Sequence, residues 1–251
     1  MDVRGISEAG RWVRRWTARP DATVRLLCFP WAGGAAAAFR PWAAGLPPSV
    51  DVCAIEYPGR AAREEEAPLE SVAALARGCA REVGELLDRP FVVLGYSLGA
   101  LVAYEWLRAL QAAGGPAPLH VMVCARRAPH LGGSHPPLHI LPDAALAEAV
   151  GRRFGAIPDL LLREPELLAR FLAPLRADLR AVETYAYTLG PPLRAPLTAL
   201  GGTRDDDVGA GDLAAWDRHT AGPFHSEQVE AGHFFLESPR LREALLERLL
   251  P

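Results

Sequence analysis

The pentapeptide Gly95-Tyr96-Ser97-Leu98-Gly99 stands between a short apolar run, Phe91-Val92-Val93-Leu94, and an amphipathic run that begins Ala100-Leu101-Val102-Ala103-Tyr104-Glu105-Trp106-Leu107. Strand, tight turn and helix in that order constrain the chain more than any other feature. Glycine at both ends lets the backbone reverse sharply enough to present the serine hydroxyl, the arrangement of a nucleophile elbow. A bare G-x-S-x-G also arises as an ordinary turn, and here the flanking runs supply the context that selects Ser97 as a nucleophile.

Short β-like runs alternate with helical patterns around this segment. Strands are expected at Val24 to Phe29, Val50 to Glu56, Phe91 to Leu94, His120 to Ala125, Leu197 to Leu200 and Phe224 to Val229. Helices are expected at Ser71 to Leu87, Leu98 to Ala112, Asp212 to His219 and Leu241 to Leu250. That order predicts an α/β fold with a mostly parallel sheet and helices on both faces. The interval 134–185 breaks the alternation: it carries only helical patterns, punctuated by Pro142, Pro158, Pro165 and Pro174, and reads as a helical lid inserted into one domain spanning 1–251. A chain of 251 residues, 50% hydrophobic, is long enough for one large core.

Charge and cysteine usage exclude several classes. The net charge is −3 and no long basic tract is present, which argues against a nucleic-acid partner. Cys28, Cys53, Cys79 and Cys124 lie in apolar runs without C-x-x-C spacing and read as buried free thiols of a reducing compartment. After Arg14-Arg15 come Thr17, Arg19 and Asp21 where a secretory apolar region would stand, and no run approaches membrane-spanning length, so a cytoplasmic location without membrane association is expected. Nothing in the sequence sets the oligomeric state, and a monomer is assumed.

An activated serine needs a general base. His233, in Glu230-Ala231-Gly232-His233-Phe234-Phe235-Leu236, follows the last β-like run just before the final helix, where an α/β-hydrolase carries its base. His120 begins a strand, His135 and His139 flank Pro136-Pro137, and His130, His219 and His225 have no equivalent position. The base in turn needs an acid. Gly201-Gly202-Thr203-Arg204-Asp205-Asp206-Asp207 follows the penultimate strand and offers three candidates in the order Ser, Asp, His. A calcium loop is a poor alternative, because Gly209 occupies the third ligand place. An oxyanion site completes the set: Cys28-Phe29-Pro30-Trp31-Ala32-Gly33-Gly34 ends the first strong strand in a glycine-rich turn, from which Ala32 supplies one backbone N–H while Leu98 supplies the other.

Taken together, Cys28-Phe29-Pro30-Trp31-Ala32-Gly33-Gly34, Glu56-Tyr57-Pro58-Gly59-Arg60, Gly95-Tyr96-Ser97-Leu98-Gly99-Ala100, Leu175-Arg176-Ala177-Asp178, Trp216-Asp217-Arg218-His219-Thr220 and Gly232-His233-Phe234-Phe235-Leu236 resemble the type II thioesterases of polyketide and nonribosomal peptide synthases. The resemblance spans nearly the whole chain. It implies an α/β-hydrolase fold and hydrolysis of acyl thioesters on the phosphopantetheine arm of acyl or peptidyl carrier domains, clearing stalled or aberrant chains. It implies no metal or other cofactor, since phosphopantetheine belongs to the substrate. It also maps the acid to Asp205, counted back from Trp216, although Asp206 stands where the family commonly has proline and Asp207 remains a competitor.

Trp31 and Tyr96 replace residues that are commonly histidine in the family, which makes them pocket candidates together with Phe154 and Phe171. Ile157, Leu160, Leu161, Leu162 and Leu172 supply further apolar faces to the insertion. Arg60 reads as structural and Asp178 as an anchor of the insertion. Arg126 and Arg127 follow a predicted strand at the active-site rim, where an arginine is expected to steer an acidic carrier. A product-releasing thioesterase or a small-ester esterase uses the same triad, and a non-catalytic carrier-binding scaffold stands against the intact triad.

Overall fold

A computed structural model describes residues 11–249 except 18, 134, 156 and 158–162. Among the described residues seven strands form one sheet in the order β1-β3-β2-β4-β5-β6-β7. They are β1 Val13–Arg14, β2 Val24–Phe29, β3 Val50–Ile55, β4 Phe91–Tyr96, β5 His120–Cys124, β6 Leu197–Gly202 and β7 Phe224–Val229. Only β1 is antiparallel, pairing Val13 with Ile55 and Arg14 with Ala54. The central strands β2 to β5 are buried along almost all of their length because helices cover both faces, whereas the edge strand β7, Phe224-His225-Ser226-Glu227-Gln228-Val229, is mostly polar and half-buried.

The period of two along each strand sorts side chains into two cores. Leu27, Phe29, Val93, Val121, Val123 and Ala199 face one side, where they pack with Leu75 and Cys79 of α2 (Val72–Gly84) and Leu101 of α3 (Leu98–Ala112). Leu26, Cys28, Val92, Leu94, Met122 and Cys124 face the other. There they meet Trp42 of α1 (Arg40–Gly45) and Leu241 and Leu245 of the last helix, Pro239–Leu249. All four cysteines are buried free thiols. Among the described residues no helix is long and apolar enough to cross a membrane.

Between β5 and β6 lie α4 (Asp143–Phe154) and α5 (Pro165–Glu183), which share a separate apolar cluster of Leu146, Ala147, Ile157, Leu172, Leu175 and Leu179. Leu160, Leu161 and Leu162 lie outside the described residues. Pro165 takes the first turn of α5, where its missing N–H is no loss, and Pro142 caps α4. Pro174 departs from the expected pattern of short proline-broken helices: α5 runs through it for 19 residues. An interior proline costs about 3 kcal/mol, and the buried face formed by Leu172, Leu175, Asp178, Leu179 and Ala181 holds the helix together across it. The expected helix at Asp212 to His219 is likewise two pieces, α6 (Ala210–Ala214) and a 3₁₀ turn over Ala215–His219. The final helix is α7.

Candidate active site

Ser97 sits where β4 turns into α3, with φ +51° and ψ −110°. A non-glycine residue in this region is strained, and the strain persists only where the surroundings fix it. Here the Ser97 N–H donates to the Cys124 carbonyl at 2.8 Å. The two glycines of the elbow are required by close approach. A Cβ on Gly95 would stand 2.5 Å from the Ala100 Cα, and one on Gly99 would stand 2.0 Å from the Phe29 carbonyl oxygen. Gly99 therefore lets the start of α3 press against the end of β2, the strand that leads into Ala32.

His233 comes from the loop after β7, with its Nε2 3.2 Å from the Ser97 Oγ. Its Nδ1 lies 2.8 Å from Asp205 Oδ2, and both side chains are almost wholly enclosed, at 8% and 2% exposure. An ionised carboxylate only accepts, so Nδ1–H donates to Asp205 and leaves Nε2 as the acceptor facing the serine hydroxyl. The other oxygen of Asp205 accepts the Asp207 N–H at 3.0 Å, which fixes the carboxylate plane. Of the three consecutive acids, Asp205 reaches the imidazole. Asp206 is exposed, and Asp207 turns the other way to Arg153 at 2.8 Å and His135 at 3.1 Å. Asp205, Asp207 and His233 offer atoms close enough for a metal ion, but these same atoms are engaged with one another and with Arg153.

Ser97 and His233 line a cavity of about 320 Å³. Its walls include Trp31, Ala32, Phe154 and Phe171 as the sequence suggests, and Ile157, Leu175 and Leu179 extend the apolar side. The Phe154 ring lies 5.0 Å from the His233 ring. Tyr96 corrects the expectation: it is fully buried beneath the site and is not a wall of the cavity. Its hydroxyl donates to the His233 carbonyl and accepts the Phe235 N–H, each at 2.7 Å, so it pins the histidine loop to the end of β4. Strand alternation sends Tyr96 to the face opposite Phe29 and Val93, which explains its burial.

Ala32 borders the cavity, and Leu98 is the first residue of α3, whose N–H has no intrahelical carbonyl to bond. The next residue after Ala32, Gly33, donates its N–H at 2.8 Å to Asp178 of α5. Asp178 also takes a fork of two bonds from Arg60, at 2.6 and 2.9 Å. Arg126 and Arg127, both half-buried, border the same cavity as Ser97. Phe234, 48% exposed, and Arg153 are wall residues that sequence reasoning did not single out. The aromatic repeat Phe234-Phe235 was a signal for the first; Arg153, 54 residues from its partner Asp207, had none.

Residues 24–251 match the Thioesterase domain family. The chain is 33% identical over 231 residues to the gramicidin S biosynthesis protein GrsT of Aneurinibacillus migulanus, covering 92% of this chain and 90% of that protein. It is 37% identical over 230 residues to thioesterase PikA5 of Streptomyces venezuelae, covering 91% and 81% respectively. The solved structure of the type II thioesterase BorB from the borrelidin biosynthetic cluster superposes with a TM-score of 0.84 at 35% identity, over 95% of this chain and 96% of that one. With its parallel sheet, its elbow serine and relatives matched over almost their full length, this chain belongs to the thioesterase family of the α/β-hydrolase fold.

Proposed function

We propose that the chain hydrolyses acyl thioesters held on the phosphopantetheine arm of acyl or peptidyl carrier domains, and that it removes aberrant or stalled acyl groups from a polyketide or nonribosomal peptide synthase. The observation that carries this reading is the unbroken chain of contacts from Asp205 through His233 to Ser97 at the wall of a largely apolar cavity. Thioester hydrolysis is the activity of the family, and the similarity to type II members supports the carrier-bound substrate.

In this reading His233 Nε2 takes the Ser97 proton as Oγ attacks the thioester carbonyl. Negative charge develops on the carbonyl oxygen, and the N–H groups of Ala32 and Leu98 stabilise it. Asp205 stabilises the imidazolium and preserves its tautomer. The tetrahedral intermediate collapses, the C–S bond breaks, and His233 returns the proton to the departing pantetheine sulfur. A water then gives its proton to His233 while attacking the acyl-serine carbonyl; the acyl C–Oγ bond breaks, His233 returns the proton to Ser97 Oγ, and the free acid leaves. Helices α4 and α5 act as a lid that lines the acyl chamber through Phe154, Phe171, Leu175 and Leu179. None of these steps calls for a metal or redox group.

The reading is tested by comparing kcat/KM for a panel of acyl-phosphopantetheinyl carrier proteins with the matching acyl-CoA and simple esters. Preference for carrier-bound acyl groups across several chain types supports editing. A strong preference for one finished long product indicates release, and a preference for simple esters contradicts the carrier assignment.

A further inference from the structure

Arg126 occupies an unusual position in the cavity wall. Strand β5 ends beside the elbow, with Tyr96 paired to Cys124, and the next residue, Ala125, adopts φ +50°. Such a conformation in a residue with a Cβ is strained and is found where neighbouring structure dictates the path of the chain. The backbone at Arg126 is then fixed by the fully buried Trp216, whose Nε1–H donates to the Arg126 carbonyl at 2.8 Å. The side chain borders the same cavity as Ser97.

Among the described residues the guanidinium has no ion-pair partner, and its Nε is enclosed without a hydrogen-bond partner. The acids around it are already engaged. Asp207 bonds Arg153 and His135, and Asp212 bonds Arg127 at 2.8 Å and the Gly209 N–H at 3.0 Å. Glu183 accepts from the Leu138 and His139 N–H groups and contacts the His139 ring. Burial, with the neighbouring Arg127 charge, pulls the Arg126 pKa down to about 10, which still leaves a full cation at neutral pH. Arg126 is half-buried with its Nε enclosed, and a guanidinium is shaped to hold a carboxylate by donating two parallel N–H bonds.

Resting on the reading that this cavity is the acyl chamber, we infer that Arg126 is an anion subsite that recognises a carboxylate carried by the acyl group itself, making half-thioesters of dicarboxylic acids a substrate class of this enzyme. The anion is placed within a few bonds of the thioester carbon, because Arg126 lies two residues beyond the end of β5, the strand paired with β4 beside Ser97, and borders the same cavity as Ser97. The phosphate of the pantetheine arm, at the far end of that arm and anchored to the carrier, does not meet this condition.

The test compares succinyl with its neutral isostere 4-methylpentanoyl, each as an N-acetylcysteamine thioester, which has no phosphate, and as a phosphopantetheine thioester. The quantity read is the ratio of kcat/KM for the two acyl groups in the wild type, Arg126→Gln and Arg126→Lys. The expected result is a fall of roughly tenfold to a hundredfold in the succinyl-to-4-methylpentanoyl ratio in Arg126→Gln. Arg126→Lys should restore part of it, and the pattern should be the same with both thiols. Labelling of each variant by a small fluorophosphonate reports separately that Ser97 and its fold are intact. An unchanged ratio in labelled Arg126→Gln overturns the subsite while leaving the hydrolase reading in place. A loss confined to phosphopantetheine thioesters and equal for both acyl groups assigns the charge to the phosphate and also overturns it. If the wild type hydrolyses neither acyl group, the chamber assignment fails and the subsite fails with it.

Discussion

Asp178 on α5 accepts the N–H of Gly33, the residue after Ala32, while both of its oxygens are held by Arg60. A side chain of the proposed lid is thus bonded directly to the turn that carries the proposed oxyanion donor. Asp178 is fully buried and Arg60 is 7% exposed, so the pair makes little contact with solvent. This linkage makes the position of α5 and the geometry of the Ala32 turn interdependent. Asp178→Asn should destabilise the protein by about 3 kcal/mol or more, since removing one partner leaves a buried charge unpaired. It should also lower kcat more than it raises KM, because the oxyanion donor proposed at Ala32 bonds most strongly once charge has developed on the carbonyl oxygen. Denaturant unfolding together with steady-state kinetics checks both parts; an unchanged kcat in a folded variant would separate the pair from catalysis.

Asp205→Asn keeps the shape of the site but reverses the hydrogen-bond sense at His233 Nδ1. A loss of about 10⁴ in kcat is expected from the equivalent change in other triads. Asp206→Asn, at an exposed position, should stay near wild type. A larger loss at Asp206 than at Asp205 in the kinetic comparison would move the acid one place.

Tyr96→Phe deletes two hydrogen bonds at once and leaves the Phe235 N–H buried without an acceptor. The expected cost is about 1–3 kcal/mol of stability, with a several-fold fall in kcat as the His233 loop loosens. Thermal unfolding and kinetics measure the two effects. Burial holds the Tyr96 hydroxyl pKa far above its usual value, so the hydrogen bonds persist through alkaline pH.

Phe171 contributes to the chamber from α5. Phe171→Ala should shift the ratio of rates for long and short acyl thioesters several-fold while leaving phosphonate labelling of Ser97 intact. If chain-length preference is the same in the folded variant, selectivity resides elsewhere, with Trp31 the next candidate.

A buried cluster away from the triad gives a pH prediction. His219 Nδ1 bonds the Tyr104 hydroxyl and His219 Nε2 bonds His130, each at 2.8 Å. Burial first, then the facing His130 and the nearby Arg108 and Arg218, push the His219 pKa down to about 4. The unfolded chain therefore binds a proton at higher pH than the folded one. The stability contributed by neutral His219 is fully present above the ordinary histidine pKa of about 6.5. It is lost as pH falls from there towards 4, on the order of 3 kcal/mol in all. Urea midpoints at pH 7 and pH 4.5 should show a drop that is smaller in His219→Gln; equal drops would assign acid sensitivity to other groups.

The central strands and the elbow were legible because their signals are local: apolar runs of five or six residues mark β2 to β5, and Ser97 has glycine two residues away on each side. β1 was missed because two residues have no period, and α1 because six residues containing Pro41 and ending at Gly45 are too short for one. Asp205 could not be separated from Asp206 and Asp207 by local reasoning, since the choice depends on which carboxylate the loop after β6 turns towards His233. The partnership of Arg60 with Asp178, 118 residues apart, and the enclosed Nε of Arg126, without a hydrogen-bond partner among the described residues, are tertiary facts without a sequence signature.

The central claim, that Ser97 opens carrier-bound thioesters, is tested most directly by incubating an acyl-phosphopantetheinyl carrier protein with wild type and with Ser97→Ala and following the intact carrier mass. The wild type should return the carrier to its free-thiol mass, whereas Ser97→Ala, folded to the same unfolding midpoint, should be slower by roughly a millionfold, as for a lost triad nucleophile. Discharge of the carrier by Ser97→Ala at a rate near wild type would contradict that role of Ser97.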